Sequence, residues 1–305
     1  MPLVNPLRLL CHARAHHYAI GAFNVNNLET LQAVICAAEN CKTPVIVQTS
    51  EGAIEYAGLE ELKCIIQTGA ELARVPVGLH LDHGRDMRLI RRAIQIGYTS
   101  VMIDASAHSY TKNVQLTKKV VHLAKRKNIC VEAELGTLGS KEDFVHGKVE
   151  YTDPDLAKDF VERTGCDTLA VAIGTSHGSH KLQAQNNSHI NLNLLTQISK
   201  KVKIPLVLHG ASMLQAQLIT RARKAGIVLK NAKGIPQTDI QRAIRLGIAK
   251  INTDTDLRIA FGTGAREFLA NNPQDIDPRH MLGHSRELMQ KVIEKHIKIF
   301  NAQRI

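Results

Sequence analysis

Residues 75–84 read VPVGLHLDHG. The run is apolar almost without alternation, as in a strand buried on both faces, and such strands belong to parallel sheets covered by helices. It ends in polar, titratable groups, His80, Asp82 and His83, followed by a glycine. Runs of the same kind recur along the chain: AIGAFNV from 19, PVIVQTS from 44, SVMIDAS from 100, ICVEAELG from 129, TLAVAIG from 168, IPLVLHGAS from 204 and IAKINTDT from 248. Helical patterns such as NLETLQAVICAAENC, ELKCIIQTGAELA and DMRLIRRAIQIG lie between them. Eight strand–helix units predict a closed α/β fold, the (β/α)₈ TIM barrel, with an open doubly wound sheet as the alternative. No repeat or linker divides the chain, so residues 1–305 are expected to form one barrel domain with a helical extension over about 277–305.

With 305 residues and 44% apolar content, the chain can bury a large core. The opening MPLVNPLRLL is too short and too broken by proline for a secretory signal, and no run approaches the roughly 18 apolar residues of a membrane span. The expectation is a cytoplasmic protein without a membrane partner. Six cysteines, none in a CxxC pair, fall in apolar runs and are expected to be buried free thiols. The formal charge of +11 is scattered over LIRRAI, TKKVVHLAKRK and ITRARKAG, and there is no tryptophan. Stacking platforms for bases are therefore scarce, and nucleic acid is not expected as the principal partner.

The strand ends carry the chemistry. Asp82 and His83 close the third strand, Asp104 the fourth, and Glu132 and Glu134 the fifth. His177 follows the sixth, His209 ends the seventh, and Asn252 to Thr255 end the eighth. In a barrel these positions share one rim, where so many carboxylates and imidazoles call for a cation between them. His83, His177 and His209, from separate elements, suit a catalytic zinc with positions left open for substrate. His80 is expected to face away from Leu79 and Leu81, toward the helix layer, as a structural residue.

In order, HLDHG, SVMIDAS, VEAELG, IGTSHG, LVLHGAS and NTDTDLR cover nearly the whole chain, and together they resemble the class II, metal-dependent fructose-bisphosphate aldolases. The resemblance implies a TIM barrel that reversibly cleaves fructose 1,6-bisphosphate into dihydroxyacetone phosphate and glyceraldehyde 3-phosphate. It makes His83, His177 and His209 the zinc ligands and Asp82 the acid/base at the C4 hydroxyl. A metal-bound ketose carbonyl drains electron density so that C3–C4 cleavage leaves an enediolate. Glu142, in LGTLGSKEDF, matches the family's mobile-loop glutamate that handles the C3 proton, with Gly136 and Gly139 as hinges.

The resemblance also implies that Asp104 and Glu134 hold metal in an alternative position and that Glu132 orients a ligand. Gly178, Gly210, Ala211, Ser212, Asn252, Thr253, Asp254 and Thr255 would surround the triose phosphate, and Arg258, with Ser50 nearby, the distal one. A monovalent cation near the phosphate and a homodimer or homotetramer follow from the family alone. The stretch RELMQKVIEKHIKIF has apolar helical spacing that suggests packing against a neighbouring subunit.

Ala107, His180 and Met213 depart from the family pattern beside the site. TDTDLR leans toward fructose over tagatose 1,6-bisphosphate, the close alternative. A Schiff-base lysine through Lys250, a barrel metal hydrolase and a non-catalytic anion- or nucleic-acid-binding barrel are the more distant readings. Imidazole accepts cobalt and iron as well as zinc.

Overall fold

The computed structural model describes residues 2–136, 151–175, 190–229 and 232–302. Strands β1 (Ile20–Asn24), β2 (Val45–Ser50), β3 (Val77–Gly84), β4 (Ser100–Ile103), β5 (Cys130–Leu135), β6 (Thr168–Val171), β7 (Leu206–Leu208) and β8 (Ile248–Thr253) close a barrel in chain order. Every neighbouring pair is parallel, β8 with β1 included. The expected α/β TIM barrel is therefore the observed one, and each of the eight apolar runs supplies one strand.

Helices α1 (Leu7–Ala15), α2 (Leu28–Asn40), α3 (Glu51–Ala57), α4 (Leu59–Leu72), α5 (Met87–Ile96), α6 (Tyr110–Lys125), α7 (Pro154–Thr164), α8 (Leu192–Lys201), α9 (Ala216–Lys224), α10 (Gln237–Arg245), α11 (Thr255–Asn271) and α12 (Pro278–Phe300) accompany the strands. Local signals set their ends. Asn27 and Thr30 form a reciprocal capping box at α2, Asp86 caps α5, and Asp153 followed by Pro154 starts α7. Gly97 and Gly165 end α5 and α7 in the left-handed conformation that glycine adopts without strain.

Strand parity separates two interiors. Leu79, Leu81, Val101 and Val131 point outward into the large core beneath the helices. Residues of the other parity fill the lumen in layers. Ile20, Ala22 and Ile46 pack with Leu10 and Ala13 of α1, and Met102, Ala170 and Val207 form a second apolar cluster. Toward the C-terminal ends of the strands the same parity turns polar, with Asn24, Gln48, Asp82, Glu132 and Lys250 all buried.

Two expectations change here. The apolar face of α12 is used within the chain: Leu288, Met289, Ile293, Ile297 and Phe300 are buried, and Ala19 N donates to Phe300 O at 3.1 Å. Gly264 of α11 lets the helices meet, since a Cβ there would lie 2.6 Å from Ser285 Cα. Of the cysteines, all free, only Cys130 and Cys166 are buried; Cys41 is half-buried and Cys11, Cys36 and Cys64 are exposed. Apolar neighbours in a helix did not place those three on its inner stripe. No helix among the described residues is long and apolar enough to cross a membrane.

Asp256, in the first turn of α11, ties α12 to the loop after β7. Its carboxylate accepts from Met213 N at 3.0 Å, Leu214 N at 2.9 Å and His296 Nε2 at 3.2 Å, all out of solvent. Leu214 has φ +44°, so the two amides are turned toward one carboxylate by a strained backbone. Asp256→Ala would strand these donors at about 1–3 kcal/mol each. Urea unfolding of the metal-free variant is expected to show a loss of about 3 kcal/mol or more.

Candidate active site

Strict alternation would send Asp82 and His83 to opposite faces of β3. Asp82 faces the lumen, and a backbone break brings its neighbour round to the same rim. His83 has φ +47°, and the β3–β4 register shifts between Leu81 and Gly84. A non-glycine residue in this region costs roughly 1–2 kcal/mol. Gly84 makes room for the bend, because a Cβ there would sit 2.6 Å from Met102 O.

His80 shares the parity of Asp82 and lies in the lumen, with Nε2 3.7 Å from Glu132 Oε2 and Nδ1 2.8 Å from Ser100 Oγ. This corrects the expectation that it faces the helices. The two sides of the strand were exchanged: Leu79 and Leu81 take the helix side because that side is uniformly apolar.

Asp82 sits in a cage of amides. Asn24 Nδ2 donates to Oδ2 at 3.1 Å, Gln48 Nε2 to Oδ2 at 3.2 Å, and Asn252 Nδ2 to Oδ1 at 3.0 Å. Burial pushes the Asp82 pKa up, but the charges of His83 and Lys250 and the Asn24 bond outweigh it and hold the carboxyl below its ordinary value.

His83 is the hub. Its Nδ1 donates to Asp104 Oδ2 at 3.1 Å and lies 3.7 Å from Glu134 Oε2, while Nε2 lies 2.9 Å from His209 Nδ1. Burial would lower its pKa, yet Asp82, Asp104 and Glu134 push it up to about 10. Burial and the His83 charge hold His209 well below the usual histidine value. Asp104 is lowered: burial opposes its charge, but the His83 bond, Arg85 and Ser106 prevail. Glu134 is pushed well up, first by burial and then by Asp104. Behind His209, Nε2 donates to Glu132 Oε1 at 2.7 Å, and Lys250 Nζ donates to Glu132 Oε2 at 2.8 Å.

Two overlapping donor sets follow, Asp82 with His83 and His209, and His83 with Asp104 and Glu134, each with its ligand atoms within 4.8 Å of one another. Glu134 Oε2 is buried without a hydrogen-bond partner. Carboxylates crowded on one imidazole, with a second imidazole nitrogen facing it, fit a divalent cation of the first transition row. His177, the third expected imidazole, lies outside the described residues, as do Glu142 and Gly178.

The remaining expected residues line the same rim. Gly210 has φ +58°, and Ala211 and Ser212 are buried beside it. Thr253 is buried with an unpartnered Oγ1, and Thr255 starts α11. Arg258, its side chain 57% exposed, pairs with Asp254 at 2.7 Å. Ser50 accepts from Ala53 N at 3.2 Å as the cap of α3, and it is register partner to Asp82. Ala107 is exposed, whereas Met213 packs into the core. Sequence reasoning passed over Asn24 and Gln48, although each is a polar residue that follows an apolar run in its strand, the signal that marked Asp82.

A sequence model described as "Fructose-bisphosphate aldolase class-II" matches residues 4–304. The chain belongs to that family. It is 46% identical over 303 residues to a fructose-bisphosphate aldolase of Thermus caldophilus, covering 98% of each chain. It is 41% identical to one of Giardia intestinalis, covering 99% of this chain and 94% of the other. The crystal structure of the YdjI aldolase from Escherichia coli K12 superposes with a TM-score of 0.79 at 36% identity, over 99% of this chain and 98% of that one. Membership of the class II aldolases implies a divalent metal, and the donor sets at His83 are where this member could hold it.

The bend at His83 depends on the missing side chain of Gly84. Gly84→Ala forces the β3 terminus away from Met102 O. The expected result is a folded barrel whose affinity for Co²⁺ falls at least about tenfold, the lower end of what misplaced ligands cost. Titration of the cobalt absorption bands, beside circular dichroism, checks it.

Proposed function

We propose that this chain cleaves fructose 1,6-bisphosphate reversibly to dihydroxyacetone phosphate and glyceraldehyde 3-phosphate, with zinc as its metal. The observation that carries the reading is Asp82, buried, amide-caged and charged, set one residue from His83 and linked through Asn252 to Nδ1 of His209. When bound by His83, His177 and His209, zinc supplies a Lewis acid for the ketose carbonyl.

The chain's own residues do the rest. Asp82 accepts the C4 hydroxyl proton as the C3–C4 bond breaks and the C4 oxygen becomes the aldehyde carbonyl; in condensation it returns that proton. A carboxylate held low by its cationic neighbours waits in the basic form, and the amide donors fix its direction. Glu142 then serves the C3 proton of dihydroxyacetone phosphate. Asp104 and Glu134 offer the metal an alternative seat, and Glu132 orients His209.

The triose phosphate lies against Gly178, Gly210, Ala211, Ser212, Asn252, Thr253, Asp254 and Thr255, with a monovalent cation nearby. Arg258 exchanges Asp254 for the distal phosphate, assisted by Ser50. Small side chains and the left-handed Gly210 allow an anion close to the backbone. The enzyme is read as cytoplasmic and as a homodimer or homotetramer.

Zinc-loaded protein is expected to release triose phosphate from fructose 1,6-bisphosphate, faster than from its C4 epimer tagatose 1,6-bisphosphate, and to lose that activity on exhaustive chelation. Asp82→Ala should lower kcat by about 10²–10⁴-fold while zinc content stays near wild type. Activity that survives chelation, or borohydride trapping of substrate on Lys250, would sink the reading.

A further inference from the structure

Lys250 lies in the middle of β8 and is about 1% exposed, an uncommon place for a lysine. It is one layer below Asn252 in the same strand, as Glu132 is one layer below Glu134 in β5, so neither reaches the rim where substrate would sit. The ammonium is bonded to Glu132 Oε2 at 2.8 Å. A protonated amine held by a carboxylate has no lone pair with which to form a Schiff base, so the lysine needs another purpose.

The other oxygen of Glu132 points to that purpose. His209 Nε2 lies 2.7 Å from Glu132 Oε1, an acceptor, so Nε2 carries the proton. On the opposite edge of the ring, Nδ1 receives the Asn252 side-chain amide at 3.2 Å and faces His83 Nε2 at 2.9 Å, so Nδ1 presents its lone pair. Both edges specify one tautomer, the one that can donate Nδ1 to a cation.

A competitor stands beside this arrangement. His80 Nε2 is buried without a hydrogen-bond partner and lies 3.7 Å from Glu132 Oε2, the oxygen that Lys250 occupies. Without the ammonium, a buried carboxylate short of partners would gain by turning toward His80 and away from His209. We propose that Lys250 is a positioning residue: by holding one oxygen of Glu132 it keeps the other on His209, fixing that ring with Nδ1 unprotonated toward the metal position. This rests on reading His209 as a metal ligand.

The test uses the full-length chain with ¹⁵N-labelled histidine, read by NMR without metal for the His209 tautomer and by chelator competition for zinc affinity. Wild type should show one His209 tautomer, protonated at Nε2. Lys250→Met should lose that single tautomer and bind zinc about 10- to 100-fold more weakly, the usual effect of disturbing a ligand's partner. Lys250→Arg, which keeps the charge, should retain the tautomer and lose less than the lower figure.

Removing the lysine alone leaves a buried charge, which can unfold the chain. Lys250→Met combined with Glu132→Gln avoids this, and its side-chain amide offers a donor as readily as an acceptor, so the same two losses are expected. The proposal is overturned by a wild-type His209 protonated at Nδ1, by a folded methionine variant or double variant with unchanged tautomer and affinity, or by an arginine variant as impaired as the methionine one. A wild-type chain that binds no zinc overturns the metal-centre reading instead, while the tautomer result still decides what Lys250 does to the ring.

Discussion

A strand that alternates its side chains can aim only every second residue at the lumen, yet Asp82 and His83 lie together at one rim. The left-handed bend at His83 resolves the conflict, and the rest of the rim is arranged around it. Asp82 keeps the regular parity and meets Asn24, Gln48 and Asn252 from three other strands. His83, turned out of register, meets Asp104 and His209 instead. The conformational cost of roughly 1–2 kcal/mol is small beside the charge interactions it permits in a buried site. Gly84 is what makes the bend fit, since any side chain there collides with the β4 backbone.

The strands were legible because a parallel barrel strand must be apolar on both faces, and the rim was legible because polar residues interrupt that rule. The same rule would have exposed Asn24 and Gln48, had each been weighed against its own strand rather than against a motif. His80 was misplaced for a different reason. Parity says which residues share a face, but not which face is the lumen. That depends on partners in other strands, here Glu132 from β5 and Lys250 from β8, and no local pattern contains them. The apolar stripe of α12 is similar: spacing shows that a surface must be covered, and only the fold shows that α2, α11 and β1 cover it. His177, Gly178 and Glu142 lie outside the described residues, so their places rest on the family likeness alone.

The pKa shifts at the rim have a common origin in crowding. Glu134 and Asp104 face one imidazole from two strands, and burial prevents water from screening either. The outcome is asymmetric: Asp104 keeps its charge through His83, Arg85 and Ser106, and Glu134 is driven toward the neutral form. An added divalent charge would remove that asymmetry, because both carboxylates could then be satisfied at once.

One layer deeper, the charges balance without a metal. Lys250 answers Glu132, and Glu132 answers His209, so within the length of two residues along β5 the lumen changes from a layer whose charges pair among themselves to one where carboxylates crowd a single imidazole. That boundary goes with opposite shifts in two rings only 2.9 Å apart: the carboxylates around His83 push it up to about 10, while burial and the His83 charge hold His209 well below the usual histidine value. On the reading proposed above, the lower layer would hold one ring in a ligand's tautomer, and the upper layer would supply the negative field that draws the cation in. A rim with only the upper layer would attract a metal but leave His209 free to turn the wrong nitrogen toward it.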